Sequence, residues 1–75
     1  MLAVATRHIR TDSRRGESFV VLGGEDGQFY AVRHEMPYFC FEADTIQDAV
    51  NKAGNAIESF YFTYIKPNED QAVTR

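Results

Sequence analysis

Cysteine occurs once in this chain, tryptophan not at all, and no apolar run nears the roughly 20 residues that a membrane span requires. The lone Cys40 cannot make an internal disulfide or by itself build a four-ligand zinc site, and it fits a reducing compartment, so a cytoplasmic protein is expected. The opening MLAVATRHIR reaches arginine too soon to hold a secretory apolar region. Internal repeats, low-complexity segments and linkers are missing as well. The 75 residues read as one small domain that buries only about 60% of the surface its unfolded chain exposes. Gly23, Gly24 and Gly27 lack the Lys-Ser/Thr of a phosphate loop and read as a turn.

Charge is unevenly spread. Residues 1–16 hold Arg7, Arg10, Arg14 and Arg15 against Asp12, a balance of +3, whereas residues 17–65 set Arg33 and Lys52 against eight carboxylates, a balance of −6. An acidic body is a poor phosphate binder, because counterion release needs clustered cations, and it suits a basic protein partner. The same charges also read as plain solvated surface.

The run Glu17 to Leu22 is β-branched and aromatic, Gly23 to Gly27 gathers turn formers, and Gln28 to Arg33 is a second strand pattern. Together they predict a β-hairpin with Asp26-Gly27 at its turn. Pro37 has no N–H and pushes Met36 out of helical geometry, so the chain should bend there before Tyr38 to Ala43 resumes as a strand beside the hairpin. Alternation of Leu2, Val4 and Thr6 with smaller or charged residues permits one more strand, followed by a loop from Arg10 to Gly16. From Asp44 the period changes: Ile46, Ala49, Val50, Ala53, Ile57, Phe60 and Tyr64 form the stripe of an amphipathic helix over about residues 45–64. Asp44 or Thr45 can cap it, with Gln47 or Asp48 three residues on. Gly54 inside it costs roughly 1 kcal/mol against alanine and points to a close approach or to simple tolerance. A final strand over Phe60 to Ile65 is the rival reading. Residues 67–75, opened by Pro67-Asn68, read as a flexible tail. The expected fold is α+β, a small antiparallel sheet of three to four strands on one long amphipathic helix.

Strand alternation divides the third strand. Phe39, Phe41 and Ala43 share the face beneath the helix, whereas Tyr38, Cys40 and Glu42 share the other, which one helix cannot reach. Ten aromatic residues exceed what one helix on a small sheet can hide, which implies a partner surface or a homodimer. Catalytic patterns are weak. Cys40 with His34 or His8 would need the fold to bring them together, and Asp44 serves better as a cap than with Glu42 as a metal ligand. No enzyme activity, metal or cofactor is expected.

Glu25-Asp-Gly-Gln-Phe-Tyr-Ala-Val32, then Glu35-Met-Pro37, then Glu42-Ala-Asp-Thr-Ile-Gln-Asp-Ala49 and the alanine-rich helix after it resemble the amino-terminal domain of the HicB antitoxins. The likeness runs from Phe19 to Tyr64, with order and spacing kept. Tyr38 stands where the family has glycine, and Cys40 lies one residue later than the family cysteine. The resemblance implies a partial RNase H-like fold that binds a small basic mRNA-cleaving toxin of the HicA type and blocks its active site. By position it nominates Glu35, Met36, Pro37 and Tyr38, with Tyr30 and Glu42 adjoining, as the partner surface. The nine residues after Lys66 are too few for the family's operator-binding domain, so a stand-alone relative is expected. Two alternatives stay open. One is an inhibitor from a phage or other mobile element, acting on a host nuclease complex in the manner of anti-CRISPR proteins. The other is a nucleic-acid-binding module using Arg7, Arg10, Arg14 and Arg15, which the acidic remainder disfavours.

Overall fold

The structure, a computed structural model, describes residues 5–73, with side chains as far as Glu69. Four strands, β1 (Thr6–Arg14), β2 (Glu17–Gly24), β3 (Phe29–Arg33) and β4 (Phe39–Ala43), form one antiparallel sheet in the order β1-β2-β3-β4. Each strand pairs with its sequence neighbour, so every connection is short. A long helix follows and covers one face, giving an α+β fold.

The expected loop from Arg10 to Gly16 is instead the second half of β1. Arg14 pairs with Glu17, and the two residues between them, Arg15 and Gly16, take φ of 54° and 78°. Two consecutive left-handed residues make the tight hairpin turn whose twist suits the flanking strands. The polar, charged run TRHIRTDSR hid this strand, because an edge strand is held by backbone pairing and needs no apolar alternation. Between His8 and Arg10 the register slips, and Ile9 is left unpaired as a bulge. Leu2 and Val4, part of the strand expected at the amino terminus, lie outside the described residues. At the β2–β3 turn, Gly27 donates its N–H to the Gly24 carbonyl (3.1 Å) and has φ 84°. Glu25 and Asp26 therefore form the corner and Gly27 closes it, one residue earlier than the Asp26-Gly27 pair predicts.

The expected division of β4 holds. Register places Phe41 beside Ala31 and Ala31 beside Val21. Phe19, Val21, Ala31 and Ala43 meet Ala49, Ala53 and Ile57 in the core, with Phe29, Phe39, Phe41, Ile46 and Val50 packed around them. Helix α1 (Ile46–Phe60) begins at Thr45, whose hydroxyl accepts from the Asp48 N–H at 3.0 Å. Gly54 marks a close approach: a Cβ there would sit 2.7 Å from Nη2 of Arg14, which crosses the helix to reach Glu58 (3.1 Å).

Phe60 to Ile65 is helical and not a strand. Tyr61–Ile65 forms a π-helical turn, and Lys66–Val73 continues as α2, so Pro67 to Val73 is helical where a flexible tail was expected. Proline in an ordinary helix collides with the carbonyl four residues back and lacks a donor. Here it follows a widened turn, where the Lys66 N–H already reaches back to the Tyr61 carbonyl, and the Asn68 amide donates to the Tyr64 carbonyl (2.9 Å).

Candidate protein-docking face

Residues alternate with the core set to form the face turned away from the helix: Val20 and Leu22 on β2, Tyr30 and Val32 on β3, Cys40 and Glu42 on β4. Among the described residues no element lies over it. Leu22, Val32, Arg33, His34, Tyr38, Phe39 and Cys40 line a shallow groove of about 570 Å³ there. Tyr38 is 68% exposed and Met36 61%, a large apolar surface for a bend of a few residues.

The six nominated residues fall into place unequally. Tyr38 and Met36 are accessible, Glu35 and Glu42 are exposed carboxylates on the bend and on β4, and Pro37, joined to Met36 by a cis peptide, is half-buried. Tyr30 is a correction: it is buried, because its ring lies against Gly24 and its hydroxyl donates to Asp26 at 2.5 Å. It can support the face but offers little to a partner. That hydrogen bond to a carboxylate, with the negative charge beside the ring, pushes the Tyr30 hydroxyl up to about 12 and holds the Asp26 carboxyl below its ordinary value.

Sequence reading missed Val32 and His34 as groove residues, and above all Arg33. Arg33 is buried, and its guanidinium donates to the Ser18 carbonyl (2.6 Å), to Glu17 (2.6 Å) and to the Met36 carbonyl (3.0 Å). It ties the bend that carries Met36 and Tyr38 to the start of β2. The available signal was its place in FYAVR, two residues after Ala31 and hence on the helix side of the strand.

The four arginines proposed for nucleic acid are largely spoken for. Arg10 pairs with Asp12 (2.5 Å), Arg14 with Glu58 (3.1 Å), and Arg15 with Glu58 and the ring of Tyr61 at 4.0 Å. The Arg15 hydrogen bond first, and then that of Arg14, hold the Glu58 carboxyl below its ordinary value. Arg7 lies beside Gly23 at the other end of β1. Two carboxylates, Asp12 and Glu58, thus answer three of the four arginines, which makes a weaker phosphate clamp than four open cations would. Among the described residues no cluster of three or more His, Cys, Asp or Glu could hold a metal ion, and no helix is long and apolar enough to cross a membrane. Cys40 is exposed on the groove wall. Compared with known proteins, the chain matches no family model, no curated protein and no solved structure.

Proposed function

We propose that this chain is a non-enzymatic protein-binding domain that neutralises a small basic nuclease-type partner, in the manner its resemblance to HicB antitoxins implies for a HicA-type toxin. The observation that supports it is the uncovered sheet face, with a mostly apolar groove lined by Tyr38 and Cys40 and with exposed carboxylates, Glu35 and Glu42, on the bend and on β4. An apolar groove of this kind suits a protein interface, and the exposed carboxylates would steer a cationic partner. Neutralisation would be occlusion: Tyr38 and Met36 dock and the exposed carboxylates cover the partner's basic cleft. An inhibitor carried by a mobile element would use the same surface.

Titration calorimetry against a purified HicA-type toxin, with mRNA cleavage followed in parallel, tests this. Stoichiometric binding with loss of cleavage is expected, with Tyr38→Asp weakening it at least tenfold and Glu35→Gln/Glu42→Gln lowering the on-rate. Undiminished binding by Tyr38→Asp would remove the docking assignment. A shift of an RNA probe at low salt, without any protein complex, would replace the reading with direct nucleic-acid binding.

A further inference from the structure

The helix outruns its sheet. The fifteen residues of α1, five of the π turn and eight of α2 span roughly 42 Å at 1.5 Å per residue. By contrast, β3 and β4 have five residues each, about 17 Å. Among the described residues the last two helical segments pack on no strand, and the molecule is drawn out to 52 Å against 21 and 16 Å across. The sheet-facing stripe of Ala49, Ala53 and Ile57 nevertheless continues through Tyr61 and Ile65, which share a cavity with Arg15 and Glu17 at the very end of the sheet, and the tilted rings of Phe60 and Tyr64 lie alongside with centroids 5.2 Å apart. Phe62, Tyr64 and Ile65 are all exposed. A helical segment of about a dozen residues is marginal in water without a surface to pack on, so this overhang is short of a sheet.

The other side of the same end is short of a helix. Arg33 fastens the Met36 bend to Glu17 and Ser18, and Arg15, two residues before Glu17, stacks on Tyr61. The bend, the β1–β2 turn and the root of the overhang are therefore neighbours. Among the described residues the five exposed large apolar side chains, Met36, Tyr38, Phe62, Tyr64 and Ile65, belong to this one end of the molecule.

We propose that two copies of this chain join end to end about a twofold axis, each laying its helical overhang across the uncovered sheet face of the other. If the axis lies in the plane of the sheets, perpendicular to the helix, the two sheets come level. Each helix, running on its own side, then passes over the neighbour's open face at the same height that it keeps above its own sheet. The contact is isologous, so knob and groove on opposite faces of one end are satisfied together. Seating a rod about 20 Å long and about 10 Å wide twice covers about 800 Å² summed over both copies, the size of a weak, concentration-dependent association. This inference goes beyond the nuclease-partner reading and stands without it, although the dimer would cover the groove that such a partner uses.

The single native cysteine provides the test. Cys40 lies on the groove wall and Tyr64 on the overhang, so the Tyr64→Cys chain treated with diamide should form a covalent dimer. Peptide mapping should find Cys40 of one copy joined to the engineered thiol of the other. Sedimentation velocity of the unmodified protein at tens of micromolar should show dimer, and Tyr64→Asp and Tyr38→Asp should each give a folded monomer whose helical far-ultraviolet signal falls by no more than the share of the overhang. Monomer throughout would overturn the proposal. So would Cys40-to-Cys40 linkage in the unmodified chain, which marks β4 edges pairing, or linkage between two engineered thiols in Tyr64→Cys/Cys40→Ser, which marks helix against helix. None of these three results would touch binding of a basic partner, which is read by calorimetry.

Discussion

Arg33 is the only buried charged residue among those described, and its three hydrogen bonds span the end of the sheet. Arg33→Met would keep the apolar stem but leave two backbone carbonyls, of Ser18 and Met36, without their donor. The expected cost is about 2 kcal/mol by urea unfolding, with amide shifts concentrated at residues 36–38. Loss of stability with no shift at the bend would mean that Arg33 does not hold it. Tyr30 gives a prediction in pH. Its hydroxyl is raised from an ordinary 10 to about 12, so the stability it contributes is complete below pH 10 and is lost as pH rises from 10 towards 12. Tyr30→Phe should flatten that alkaline limb of a thermal-melt profile. Asp26 and Glu58 work in the opposite direction. Their carboxyls are depressed in the fold, so what they contribute is present above about pH 4.5 and declines as pH falls below it.

At the scale of the element, Gly54 opposes two effects in one residue. Alanine there should strengthen the helix by about 1 kcal/mol, yet its methyl group would meet the Arg14 guanidinium that crosses at that point. Gly54→Ala alone should therefore gain little, whereas in an Arg14→Ala background it should gain the full amount. Equal gains in both backgrounds, measured by urea unfolding, would show that Arg14 moves aside freely. Most of α1, β2, β3 and β4 was legible because burial imposes a period, and the split of Phe39 and Phe41 from Tyr38 and Cys40 follows from that period alone. The second half of β1 was not legible, since pairing at an edge leaves no apolar trace. Nor was α2, since Pro67 is a stop signal unless the turn before it is wide. Tyr30 misled for a related reason: its strand position marks it as open-faced, but only the turn geometry places Asp26 and Gly24 against it and buries the ring.

For the whole molecule, two associations are proposed at one end, and their salt dependence should differ in sign. Copies of net charge −3 repel one another, so raising salt from about 50 to about 500 mM should tighten the dimer by screening that repulsion. The same change should weaken binding of a basic partner, whose attraction it screens. Sedimentation and calorimetry across one salt series would separate them, and parallel trends would count against one of the two assignments. Growth in the remaining direction, sideways from the sheet, is hindered at one point on each edge. The slipped register at Ile9 twists a charge-studded β1 away from any incoming strand, and at the opposite margin Lys52 fastens its ammonium on the Glu42 carbonyl at 2.6 Å. Concentrated solutions of this protein should therefore stay clear and free of thioflavin-binding filaments, because an assembly lengthens by strand recruitment only where an edge offers an uninterrupted ladder.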